Sequence, residues 1–320
     1  MAETGLTFET SLAGMKKTDW IDAVETLCDA DGYLERLGSR HYAAFVEKSE
    51  TLLVTFETLQ GIPALSPLAQ PLGWEFMAEQ NWSSLCIASD GDTWFRDPAV
   101  YAYFDRLIDD GFFDEFERVI FYGAGPCGYA AAAFSVASPG ARVLMVQPQA
   151  TLDPRVTEWD DRFVEMRSAD FTSRYGYAPD MLDGAAAAYV VYDPRQQLDA
   201  MHAALFTRAN VRKLRLRHMG DAIQTDLLEM DQLAPMLRAI ASDELDTVAF
   251  ARMMRARRMH PPYLRALMAS LDAQGRDRLT LGLARNVTTR MHAPRFARRL
   301  KELEGKKARK GAKAATPQQD

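Results

Sequence analysis

Gly123, Gly125 and Gly128 follow the β-prone apolar run Val119-Ile120-Phe121-Tyr122 and precede an alanine-rich stretch from Tyr129 to Ala137. A strand, a glycine turn and a helix in that order gather backbone N–H groups at one point, a place for an anion or a reacting group. Two chemistries fit this turn. Read as G-x-G-x-x-G, it is the loop that cradles a dinucleotide's pyrophosphate, with a nucleotide or flavin as cofactor. Read as the G-x-S-x-G turn that presents a serine nucleophile, it puts Gly125 at the nucleophile and Pro126 directly after it. Serine hydrolysis needs a hydroxyl at the first position and a backbone N–H at the second to hold the oxyanion. Gly125 supplies no hydroxyl and Pro126 no N–H. Cys127 is the remaining nucleophile, in the first helical turn, where the helix dipole lowers a thiol's pKa. His218 would be its base and Asp193 the third member. A small cysteine beside glycine is equally ordinary packing.

A parallel α/β sheet must position these residues. The glycine turn lies inside a strand–helix–strand unit, with Pro139 and Gly140 ending the helix and Val143 to Val146 forming the next strand. Earlier strands are expected at His41–Val46, Thr51–Phe56 and Ser83–Ile87, and later ones at Tyr189–Tyr192 and Val211–Leu216. Helices are expected over Thr18 to Leu37, Gly73 to Gln80, Pro98 to Ile108, Gln196 to Phe206 and throughout the region beyond Thr225. Ligands bind beyond the carboxyl ends of parallel strands. The candidate pocket residues are therefore Glu57 and Thr58, Asp90 and Asp92, Gly123, Gly125 and Gly128, then Gln147 and Gln149. Asp90-Gly91-Asp92 also reads as a turn, and Asp193, before Pro194, also reads as a helix cap. His41, His202, His260 and His292 have no metal-like spacing.

Element order separates the two motifs. A dinucleotide fingerprint usually opens its domain and is followed about 20 residues later by a carboxylate for the ribose. Here three expected strands come first, and the corresponding position is Gln147. In the nucleophile-turn plan an acid follows a later strand and a histidine comes last, as Asp193 and His218 do.

The span from Thr51 to Leu228 resembles a bacterial group of α/β-hydrolase-like proteins associated with surface-polysaccharide and glycosylated-adhesin export. The resemblance is carried by Leu52-Leu53-Val54-Thr55-Phe56, by the loop Asp90 to Phe95 with Trp94, and by Tyr122-Gly123. Gly128-Tyr129-Ala130-Ala131 and Gln147-Pro148-Gln149 complete it. That group carries serine where this chain carries Gly125. The resemblance implies an α/β-hydrolase-like, mainly parallel sheet; the polar stretch 150–184 interrupts the strand–helix alternation as an inserted cap would, and the helical pattern beyond Thr225 reads as a helical C-terminal extension. The resemblance also implies a small-molecule or glycan-related ligand. The function expected first is a binding or accessory protein, a pseudoenzyme. The alternatives are a hydrolase or acyltransferase using Cys127, His218 and Asp193, and a nucleotide- or flavin-binding enzyme. The last includes a phosphoadenosine phosphosulfate reductase type, for which the chain has neither an SGGKDS-like loop nor a terminal ECG-x-H motif.

The 320 residues suit one sizeable domain with additions. The expected divisions are a helical segment at 1–40, the α/β domain at 41–230 with its cap at about 150–184, a basic helical region at 231–304, and a disordered basic tail at 305–320. No apolar run is long enough for a membrane span. The first residues lack a basic-then-apolar export pattern. Three cysteines, Cys28, Cys86 and Cys127, are too few for a disulfide framework or a zinc set. The expected setting is cytoplasmic. The net charge of −6 is unevenly spread. From Phe250 onward, 18 Lys plus Arg stand against 5 Asp plus Glu, a charge of +13 that leaves −19 on the preceding residues. No nucleic-acid-binding module surrounds the arginines, so a protein partner or self-association through the basic helices is expected ahead of nucleic acid.

Overall fold

The computed structural model describes residues 5–314, with side chains described through residue 308. The chain forms two compact units, which divide between Met253 and Met254. The expected boundary lay near residue 230.

In the first unit α1 (Lys17–Cys28) leads to β1 (Gly32–Leu37), β2 (His41–Val46) and β3 (Thr51–Thr58). Then come α2 (Ile62–Leu65), α3 (Gly73–Gln80), β4 (Ser83–Ser89), α4 (Pro98–Asp109), β5 (Arg118–Ala124) and α5 (Pro126–Phe134). The unit continues with β6 (Arg142–Val146), α6 (Pro154–Thr157), β7 (Ala187–Tyr192), α7 (Gln197–Leu205) and β8 (Val211–Arg215), and ends in α8 (Ile223–Glu229), α9 (Leu233–Ala241) and α10 (Thr247–Met253). The eight strands make one sheet in the order β1-β2-β4-β3-β5-β6-β7-β8. β2 runs antiparallel to β1 and β4, and every pair from β3 and β4 onward is parallel. This order, with β2 alone reversed, is the α/β-hydrolase sheet.

One strand departs from expectation. Gly32–Leu37 is an edge strand, not helix. Its burial hardly alternates and only Leu37 is buried, so the period-2 signal that marks a half-buried strand is missing.

Both sheet faces are covered. Trp20, Val24 and Leu27 of α1 and Trp74 of α3 pack with Tyr42, Ala44 and Cys86 on one side. The other side holds the larger core, in which Phe104 of α4 and Phe134 of α5 meet Phe56 and Phe121. Burial of this kind is worth roughly 1.5–3 kcal/mol per large apolar side chain. α9 also lies against β5 and β6 and buries Leu233, Met236, Leu237 and Ile240. That packing is why the unit extends well past residue 230.

The stretch 150–184 joins β6 to β7 and contains little regular structure beyond α6 and short 3-10 turns. It is fastened to α5 and to the loop before α4. Tyr129 Oη donates to the Tyr175 carbonyl at 2.6 Å. Arg96 donates to the Asp170 and Arg174 carbonyls at 2.7 and 2.8 Å.

The second unit contains α11 (Pro261–Ala273), α12 (Asp277–Arg290) and α13 (Pro294–Ala314), around a small core of Leu264, Ala284, Val287 and Phe296. Residues 305–314, expected as disordered tail, continue α13. A helix anchored by buried Leu303 propagates through Lys, Arg and Ala, which are good helix formers, without an apolar stripe. Residues 315–320 lie outside the described residues. Among the described residues no helix is long and apolar enough to cross a membrane.

Candidate binding site at the glycine turn

The chain passes from β5 into α5 through Gly125, whose φ of 56° and ψ of −126° are open essentially to glycine. The Gly125 N–H donates to the Val146 carbonyl at 2.8 Å, and its carbonyl accepts from Tyr129 N–H at 3.0 Å. A Cβ at Gly125 would meet nothing within 4 Å. The turn therefore has the shape that presents a nucleophile, faces open space, and carries no side chain there. Pro126 follows as the first residue of α5 and brings no N–H. Gly123 permits the close approach of helix to strand, because a Cβ there would lie 2.1 Å from the Cys127 carbonyl oxygen. Gly128 is buried in the first turn of α5.

A cavity of about 280 Å³ opens beside this turn. The β5 turn contributes Ala124, Gly125 and Pro126, and the loop after β6 contributes Gln147 and Gln149. Arg162 and Phe163 come from the 150–184 stretch, and Asp199 comes from α7. The start of α8 and the residues before it supply Asp221, Ala222, Gln224 and Thr225.

The wall is a connected polar network. Gln147, at φ 50°, donates from Nε2 to Asp199 Oδ2 at 2.8 Å, and its Oε1 accepts the Ile223 N–H at 3.1 Å. Arg162 donates from Nη1 to Asp199 Oδ1 at 2.6 Å, and from Nε and Nη2 to the two oxygens of Asp160 at 3.0 and 2.8 Å. Buried His202 accepts the Ala150 N–H at Nδ1, 3.1 Å away. Its proton is therefore on Nε2, which donates to Asp160 Oδ2 at 2.8 Å, and the ring is neutral. Burial raises the Asp160 pKa, but hydrogen bonds from His202 and Arg162 outweigh it and hold the carboxyl below its usual range. Gln149 is 3% exposed and donates from Nε2 to the Gln147 carbonyl at 3.3 Å. Its Oε1 is buried and has no partner in the protein.

No family model matches this chain. No curated protein matches it either. Among solved structures, carboxyl esterase 2 from the mycorrhizal fungus Tuber melanosporum is 12% identical at a TM-score of 0.40, over 70% of this chain and 83% of that one. The glycosylation-associated Gap123 complex from Streptococcus agalactiae is 14% identical at 0.40, over 66% of this chain and 44% of that one. A capsule O-acetyltransferase of Neisseria meningitidis serogroup A is 11% identical at 0.38, over 62% and 93%. Likeness this distant carries no function across, and the fold assignment rests on the strand order.

The expected site residues divide sharply. Gly125, Gln147 and Gln149 line the cavity, while Cys127, Asp193 and His218 do not. Cys127 sits in the core beneath the turn. Burial pushes its thiol well above the ordinary value, and the nearby Glu57 and Asp92 carboxylates add to the rise. Desolvation thus opposes the lowering expected for a thiol at a helix N-terminus. Buried Asp193 accepts the Arg195 N–H at Oδ1 and the Gly220 N–H at Oδ2, both at 2.9 Å. It ties together the loops after β7 and β8. His218 is half-buried in the second of these loops at φ 69°.

Four residues expected in the pocket lie outside its lining, and three of them hold neighbouring segments. Glu57 is buried, accepting from Thr55 Oγ1 at 2.6 Å and from the Leu72 N–H at 3.1 Å, and burial raises its pKa. Thr58 Oγ1 accepts the Gly61 N–H at 3.0 Å. Asp90 receives Lys17 at 2.5 Å and Gln60 at 2.9 Å, and the Lys17 hydrogen bond holds its carboxyl below the usual range. Asp92 is exposed outside the cavity lining. Sequence reading missed Asp199 and gave His202 no role. Their i, i+3 spacing puts both on one face of α7, the signal that could have found them.

Proposed function

We propose that this chain is a non-covalent binding or accessory protein on an α/β-hydrolase frame, with the cavity at Gly125 as its site. One observation carries the reading. The position that would hold a nucleophile is a glycine facing open space, followed by a proline without an oxyanion donor. The ligand is a small molecule, for which about 280 Å³ lies at the lower end of ligand-pocket volumes and leaves little room for a dinucleotide or flavin. The surface-glycan connection and the cytoplasmic setting belong to the same proposal, on the sequence grounds given above. A thiol mechanism through Cys127 has less support because the thiol is buried and its pKa is raised.

Iodoacetamide labelling near neutral pH, followed by mass spectrometry, tests this together with turnover of short-chain acyl esters. Cys127 should label no faster than buried Cys28, whose thiol is pushed up to about 12, or buried Cys86. Ester turnover should not exceed background. Fast labelling confined to Cys127, or turnover abolished by Cys127→Ala or His218→Ala, would retire the binding reading in favour of a catalytic one.

A further inference from the structure

The charge and hydrogen-bonding balance of the cavity specify a ligand class, on the premise that the cavity is a binding site. Arg162 is the one cationic residue in its lining among the described residues, and it is spanned by Asp160 and Asp199. Asp221 stands exposed at the wall, and His202 behind it is neutral by its hydrogen bonding. Two lining carboxylates, Asp199 and Asp221, with Asp160 buried behind them, thus stand against one guanidinium, and the site is net negative. Acidic residues alone would not make a ligand site, but Gln149 supplies an independent sign. Gln149 is 97% buried in the cavity wall, and its amide oxygen is left without a protein partner. A buried amide oxygen finds a donor in whatever fills the space before it.

We propose that the cavity takes a small organic cation of the ammonium class, donating to Gln149 Oε1 and balanced by the Asp221 and Asp199 carboxylates. Anions of the same size are turned away, because an added negative charge would meet the unbalanced carboxylates. Phe163 gives the wall an aromatic side chain for the apolar part of such a ligand.

A shape-matched series isolates the charge. Benzylamine, benzyl alcohol and benzoate are titrated against the full chain and read by saturation-transfer NMR. Benzylamine should bind at least about tenfold more tightly than benzoate, with the alcohol between them. Asp221→Asn, at an exposed position where folding is not at stake, should shrink the amine-to-acid ratio several-fold. Gln149→Leu should weaken amine and alcohol alike. Benzoate binding as well as benzylamine, or a ratio unmoved by Asp221→Asn, overturns the charge preference and leaves the non-covalent pocket standing. Failure of all three probes to bind overturns both. Ester turnover with the charge preference intact would remove only the non-catalytic reading.

Discussion

At the scale of single residues, the two turn glycines are constrained for different reasons and should respond differently to substitution. Gly125→Ala meets no atom and suffers only from its positive φ, a cost of about 1–3 kcal/mol. Gly123→Ala drives a methyl into the Cys127 carbonyl and should cost about 3 kcal/mol or more, since backbone must move. Urea denaturation at pH 7 measures both, and equal losses would show that helix and strand do not meet as closely as described. Gly125→Ser should fold with a loss like that of Gly125→Ala and still fail to turn over acyl esters, because Pro126 supplies no oxyanion donor. Turnover in that variant would mean that another donor serves the turn. Gly125, Gln147 and Gln149 were legible in the sequence because parallel strands deliver their carboxyl ends to one edge. Arg162 was not, because it reaches that edge from an irregular stretch without a periodic signature; Asp199 was passed over although its spacing from His202 puts both on one face of α7.

At the scale of elements, the 150–184 stretch is held by particular contacts more than by its own secondary structure. Arg96 donates to two of its carbonyls and lies 5.4 Å from the Phe171 ring centroid. Arg96→Ala should cost about 1.5–3 kcal/mol, the range for hydrogen bonds from a charged group. Hydrogen exchange should quicken across residues 163–176 before it does in the sheet. Uniform acceleration would deny the stretch any independent opening. Deeper in the same stretch, Asp160 links Arg162 to His202, and Asp160→Asn should cost about 2–5 kcal/mol at pH 7. The pH dependence has a definite sign. The folded Asp160 pKa is depressed, so its contribution is present above the unfolded value of about 3.9 and is lost as pH falls through the folded one. The gap between wild type and Asp160→Asn should therefore be constant near neutrality and narrow from about pH 5 downward. A gap that widened on acidification would remove Asp160 as an ionised member of the network. Elements with a strong period, such as α3 and the parallel strands, could be read from sequence. β1 and the end of α13 could not, since a weakly buried edge and an unstriped helix leave no hydrophobic record.

At the scale of the whole molecule, charge is divided much as the fold is. Residues 254–320 hold 17 Lys plus Arg against 5 Asp plus Glu, a charge of +12, which leaves −18 on the rest. The second unit's core is a small cluster of Leu264, Ala284, Val287 and Phe296 with partly buried neighbours, whereas the first unit contains the whole sheet and the cavity. A chain ending at Met253 should therefore keep cooperative unfolding, the far-ultraviolet signature of its sheet, and any probe binding at the cavity. Its net charge becomes more negative by the full +12 it loses. Self-association through the basic helices, if it is their role, must be electrostatic in large part. Sedimentation should then show the full chain moving toward the monomer as salt rises from about 0.05 to 0.5 M, with exposed charges screened over a few ångströms. The shortened chain should be monomeric at both concentrations. An association that persists at high salt, or survives removal of residues 254–320, would put the contact on the acidic first unit and leave the basic helices free for a partner of another kind.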